Sequence, residues 1–77
     1  MKYLSELLIN QTAEIKYFQT NENPSEIRLK NRLYEMGFYP GNKIRVIKPL
    51  PMPIVSASIN ESRFAMSERL FRRFVVK

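Results

Sequence analysis

Seventy-seven residues hold one domain, expected over 1–77, with little core to spare for a deep catalytic cavity, since about 60–65% of the unfolded surface is buried at this size. The chain contains neither cysteine nor histidine, which excludes disulfides, thiolate metal sites and the commonest general base, and its seven acids are all glutamates scattered along the sequence. Thirteen Lys plus Arg against those seven give a net charge of +6, an attraction for nucleic acid, anionic headgroups or acidic protein surfaces alike, although no basic run concentrates it.

At the N-terminus an acid, Glu6, arrives before any apolar run builds up, unlike a secretory leader, and no later stretch approaches the ~20 apolar residues of a membrane span. The cytoplasm is therefore the expected compartment. Leu4 to Leu8 reads as one helical turn packing down Leu4, Leu7 and Leu8. Asn10-Gln11 turns the chain. From Thr12 to Phe18 the residues alternate, which predicts a strand with Ala13, Ile15 and Tyr17 on one face and Glu14, Lys16 and Phe18 on the other.

The strongest local pattern follows a polar loop at 20–23. Asn23 suits a helix cap, Pro24 the first helical position, and Glu26 the place from which a side chain bonds back to the cap. Leu29, Leu33 and Met36 recur at helical spacing, with Arg28, Lys30, Asn31 and Arg32 on the wet face, which predicts a helix over about 24–36. Gly37 stands where a left-handed residue stops a helix, and Phe38 where the next side chain folds back over Leu33. Tyr39-Pro40-Gly41-Asn42 fits a type II turn. Strands are expected at Lys43–Lys48, with Ile44 and Val46 inward, at Ile54–Ile59 and at Arg63–Met66. Pro49 to Pro53 cannot form ladder bonds at three positions and reads as a loop or edge. Ser67 suits the cap of a single turn, Glu68-Arg69-Leu70, before a last strand from Arg72 to Val76. The expected core is Leu33, Phe38, Ile44, Val46, Ile54, Ile59, Phe64, Met66, Leu70 and Val75. Together these elements predict a mainly β domain, a small SH3-like barrel of about five strands with one principal helix and short helical turns.

The run Arg32-Leu33-Tyr34-Glu35-Met36-Gly37-Phe38-Tyr39-Pro40-Gly41 resembles the RLxxLGfxPG segment of FeoA-domain proteins. Similarity continues on both sides: Leu4 to Phe18 is similar to the family's opening, Ile44-Arg45-Val46-Ile47 to its next strand, Phe64-Ala65-Met66 to its "I-A-L" strand, and Phe74-Val75-Val76 to its closing strand. Three departures stand out. The family's Gly-Asp in the proline-rich loop is replaced by Leu50-Pro51-Met52, its Arg after the "I-A-L" strand by Ser67, and its turn glycines by Asn10-Gln11 and Asn60-Glu61-Ser62, where Asn can take the left-handed conformation. The resemblance implies a non-catalytic cytoplasmic accessory protein of ferrous iron uptake. Its partner would be FeoB, a membrane transporter with a GTPase-like domain, and the membrane is reached only through that partner.

For Leu33, Gly37, Phe38, Pro40 and Gly41 the reading is backbone geometry and packing. Leu50, Pro51 and Met52 are candidate partner-binding residues, because prolines stiffen the loop and lower the entropic cost of presenting Leu50 and Met52; the alternative is that both fold back as a lid on one barrel end. Arg72 and Arg73 are further candidates, suited to an acidic protein patch or RNA, against a solvated rim. No catalytic, cofactor-binding or metal residue is expected: no His, Cys or Asp is present to activate a Ser, Lys or Tyr, no GxxxxGK[ST] loop appears, and the glutamates do not converge. No small-molecule substrate is expected. A second reading of the charge is a small basic barrel that binds nucleic acid or serves as a regulatory domain.

Overall fold

Short alternating runs broken by Asn, Pro and Gly fold here as antiparallel strands with one main helix beside them. The computed structural model describes residues 2–8, 10–49, 54–60 and 62–77, with the backbone alone described at 48–49 and 54–58. In chain order the elements are β1 (Lys2–Tyr3), a 3₁₀ turn (Leu4–Glu6), β2 (Thr12–Phe18), α1 (Pro24–Glu35), β3 (Lys43–Pro49), β4 (Ile54–Ile59), β5 (Ser62–Ser67), α2 (Glu68–Phe71) and β6 (Phe74–Val76). The strands form one sheet in the order β1-β6-β2-β3-β4-β5. This is the expected mainly β, SH3-like architecture with one main helix. It has one strand more than expected, because two-residue β1, too short to show a period, pairs Lys2 with Val76 and Tyr3 with Val75. The order is linear, and among the described residues β1 and β5 do not pair, so no ladder closes the sheet between its end strands.

The helix begins and ends where its punctuation dictates. Asn23 is extended, its Oδ1 accepts the Ser25 N–H at 3.0 Å, and Pro24 is the first helical residue. Glu26 does not bond back to the cap; the Asn23 N–H donates to Asn21 Oδ1 at 2.9 Å instead, and the Glu26 carboxylate turns to Arg73. At the other end Gly37 takes a φ of +112°, its N–H donates to the Tyr34 carbonyl at 3.1 Å, and the Phe38 N–H reaches the Leu33 carbonyl at 3.0 Å. These two bonds satisfy carbonyls that a helix end otherwise leaves orphaned. The buried stripe is narrower than its spacing suggests. Leu33 is buried and Leu29 half-buried, but Met36 is 44% exposed, because it is the C-cap where the chain already turns away.

The next turn is fastened to β2. The Asn42 N–H donates to the Tyr39 carbonyl at 3.1 Å with Gly41 at φ +96°, as the type II turn requires. The Gly41 N–H donates to the Ile15 carbonyl and the Ile15 N–H to the Asn42 carbonyl, both at 2.8 Å. Asn42 Nδ2 closes the loop on the Gly37 carbonyl at 2.7 Å.

Three sequence expectations fail for physical reasons. Phe18, placed by alternation with Glu14 and Lys16, is buried, because the β2–β6 register slips between Ile15 and Tyr17 and the extra residue reverses the inward phase. Leu8 is 71% exposed instead of packed, since the 3₁₀ turn has ended by Glu6 and only Leu4 is buried. The last strand starts at Phe74, not Arg72, because Ser67 accepts the Leu70 N–H and α2 runs on through Phe71 to Arg72 as its C-cap. Arg72 and Arg73 therefore do not alternate on strand faces. All three β6 residues are buried, as β6 lies between β1 and β2.

One cluster makes the core, drawing on every layer from Leu4 through Ile15, Leu33, Ile44 and Ile59 to Val76. Phe64 and Leu70 are only partly buried against it, Phe71 joins it unexpectedly, and the expected core position Ile54 has no described side chain. Fully buried Phe38 lies edge-on to Phe64 at 5.2 Å and 5.7 Å from Phe74, which is 4.8 Å from Phe18. Asn10 and Asn60, in the two turns where Asn was expected to take the left-handed conformation, have positive φ values of 69° and 49°.

Both positive-φ glycines are predicted to resist substitution. Gly37→Ala should lower the unfolding free energy by about 1–2 kcal/mol in urea denaturation. Gly41→Ala should cost less, because its new Cβ meets nothing within 4 Å, whereas that of Gly37 touches Ile59 Cγ2 at 3.4 Å and Asn60 Nδ2 at 3.5 Å. A neutral Gly37→Ala would contradict the helix stop described above.

Candidate docking surface

The proline-rich segment is bracketed by a hairpin. β3 and β4 pair as far as Lys48 with Ser56 and Pro49 with Val55, so the ladder holds both ends of the connection. Leu50, Pro51 and Met52 themselves lie outside the described residues. On its far side β4 pairs Ile54 with Ser67, the cap of α2, so the exit of this connection and α2 share one end of the sheet.

At that end two consecutive arginines have different surroundings. Arg72 is the C-cap of α2, its side chain 63% exposed and ion-paired through Nε to Glu68 one turn back. Such an exposed pair contributes only about 0.3–0.5 kcal/mol. Arg73 is held far more firmly. Its guanidinium pairs with Glu26 on α1, Nε donates to the Gln19 carbonyl at 3.1 Å, and the guanidinium lies over the Phe18 ring at 4.6 Å. Its carbonyl in turn accepts the Gln19 N–H at 2.8 Å. Of the two candidate arginines, then, Arg72 is the one open to solvent, and Arg73 joins α2, the end of β2 and the start of α1.

The Glu26–Arg73 contact was not legible in the sequence, where Glu26 reads as a capping residue 47 positions away. Tyr34 is a second such contact: its hydroxyl accepts the Phe18 N–H at 3.3 Å, giving the bulged end of β2 a partner from α1. Of the remaining motif residues, Leu33 and Phe38 lie in the core and Pro40 and Gly41 at the exposed turn. Large apolar side chains reach solvent at Leu8, Met36 and Tyr39. Among the described residues no three His, Cys, Asp or Glu side chains converge as metal ligands, and no helix is long and apolar enough to cross a membrane.

A family model described as the FeoA domain matches residues 2–77. The chain belongs to the FeoA family. Solved FeoA structures share its fold from end to end. The FeoA protein of Stenotrophomonas maltophilia, crystallised with zinc and described as an SH3 domain protein and a suggested activating factor for ferrous iron transport, is 26% identical. It matches with a TM-score of 0.80 over 100% of this chain and 91% of that one. An iron uptake regulatory protein (FeoA) is 25% identical, with a TM-score of 0.77 over 99% of this chain and 93% of that chain. The solution structure of FeoA from Chlorobium tepidum, 23% identical, agrees in fold with a TM-score of 0.80, covering 99% of this chain and 68% of the other. No curated protein matches.

In this FeoA chain the Arg73–Glu26 pair should act as a tether for the helix. Arg73→Ala is predicted to cost about 1–3 kcal/mol, the sum of a charge-assisted contact and a ring contact that are both partly shielded from water. A double-mutant cycle with Glu26→Gln should return a coupling of about 0.5–1.5 kcal/mol that shrinks as salt is added. Strict additivity of the two substitutions would remove the tether from the account.

Proposed function

We propose that this chain is a non-catalytic accessory protein of ferrous iron uptake, working in the cytoplasm as a single domain over 1–77 by contact with the GTPase-like domain of a FeoB-like membrane transporter. The observation that carries the reading is the family match across residues 2–77 together with the shared fold of a protein described as a suggested activating factor for ferrous iron transport. Physical features support it. The interior is filled by apolar side chains, with no buried polar residue among the described core, so the chemistry available to a partner lies on the outside.

The docking residues are Leu50, Pro51 and Met52 with Arg72 and Arg73, the last also tying the end of β2 to α1. Three prolines in five residues limit the conformations lost on binding, and the hairpin ladder anchors both ends of the segment. An exposed guanidinium at the C-cap of α2 suits an acidic patch on the partner.

Titration calorimetry with the GTPase-like domain of a ferrous iron transporter from the same organism provides the test. Saturable binding is expected, weakened about tenfold or more by Leu50→Ser with Met52→Ser, and less by Arg72→Glu, which acts mainly on the association rate. Absence of binding by wild-type protein with an intact thermal transition would refute the proposal.

A further inference from the structure

The charge of α1 is arranged in a way that internal packing does not explain. Ser25, Arg28, Leu29 and Arg32 follow one another along a single face of the helix and line an open concavity of about 220 Å³. Arg28 and Arg32 stand one turn apart and are exposed, and neither has a carboxylate partner among the described residues. The acid in the first turn of the same helix, Glu26, is drawn away to Arg73. Like charges at this spacing destabilise a helix by about 0.2–0.5 kcal/mol, a local cost set against the favourable place of Arg32 in the last turn, near the negative end of the helix dipole. Among the described residues the ion pairs lie at Arg72, Arg73 and Lys77, none of them on this face of α1. Beside the two guanidinium groups Leu29 lines the same concavity, half-buried and packed on the core at its inner side.

We propose that this face of α1 is a second docking surface, for an acidic protein segment that carries two carboxylates about 6 Å apart around one apolar side chain. Each arginine presents a planar fork that donates to a carboxylate, and Leu29 supplies an apolar patch beside the forks. Nucleic acid fits the surface less well. It calls for a longer cationic track with free ring faces, whereas the nearby ring of Tyr34 is covered by Lys30 at 5.9 Å and its hydroxyl is occupied by Phe18. A lipid surface calls for apolar side chains that insert, and this face offers only half-buried Leu29. The Ser25 hydroxyl already donates to Asn23 Oδ1 at 2.8 Å, so the two arginines carry the recognition. The inference does not rest on the transporter reading, which concerns residues 50–52 and Arg72.

The test is an amide-resolved NMR titration of the full chain with an acetylated, amidated peptide of sequence Glu-Glu-Leu-Glu-Glu. The same titration is run with its Gln-Gln-Leu-Gln-Gln counterpart, with inorganic phosphate and with phosphatidylserine vesicles. Saturable shifts confined to residues 25–32, produced by the acidic peptide and weakened about tenfold in R28Q/R32Q, are the expected result. The thermal midpoint of R28Q/R32Q should stay within about 4 °C of the wild type, since the repulsion removed offsets the last-turn cation lost, so lost binding there is not lost folding. Shifts centred elsewhere, an equal response to the neutral peptide, phosphate or vesicles, or undiminished binding by R28Q/R32Q would overturn the proposal. Calorimetry with the transporter domain reads the other surface, so either can fail alone.

Discussion

Phe38 must enter the core one residue after the helix has stopped, and most of the fold is arranged around that demand. The direction of its Cα–Cβ bond is set by Gly37, whose positive φ lets the chain reverse while two backbone bonds close the helix end. Once inside, the ring is fully buried and joins a series of phenylalanines, Phe64 to Phe38 to Phe74 to Phe18, that runs from β5 across to β2. The sheet is open, so hydrogen bonds alone leave β5 and β6 far apart in strand order. The aromatic series is what connects them through the interior. Tilted and edge-on ring contacts of this kind add about 0.5–1.5 kcal/mol each beyond the area they bury.

The same series reaches the surface at one point. Phe18, brought inward by the bulge in β2, lies under the Arg73 guanidinium, and Arg73 is tied by charge to Glu26 on α1. The helix is thus held at both ends by different chemistry. Its C-terminus is fixed by glycine geometry and an apolar side chain, its N-terminal turn by an ion pair partly shielded from solvent. At the surface, the β3–β4 ladder holds Pro49 and Val55, Arg72 is exposed at the C-cap of α2, and Arg28 and Arg32 are exposed on α1.

The helix was legible because its punctuation is local. Asn23, Pro24, Gly37, Pro40 and Gly41 each state a backbone geometry within one or two residues, and the structure adopts all five. The asparagines at 10 and 60 were readable for the same reason. What could not be read was any feature decided by residues far apart in the chain. The bulge that buries Phe18 depends on how β2 meets β6, the burial of all of β6 depends on two neighbours it acquires only in the fold, and Glu26 abandons its cap for an arginine near the other terminus. Period alone also misplaced Met36, because a helical stripe does not say where the helix hands over to the turn. At the candidate site, the separation of Arg72 from Arg73 into an open and a held residue depends on the extra length of α2, which the sequence did not show.

The central claim is that Phe38 couples the helix stop to both halves of the sheet. Native-state hydrogen exchange on Phe38→Ala tests it most directly. Protection should fall together at Met66 in β5, Ile15 in β2 and Val76 in β6, by a common amount of about 3–5 kcal/mol. Loss confined to α1 and the turn at 37–42, with β2 and β6 protected as in the wild type, would show that the sheet holds without the ring and would contradict the account.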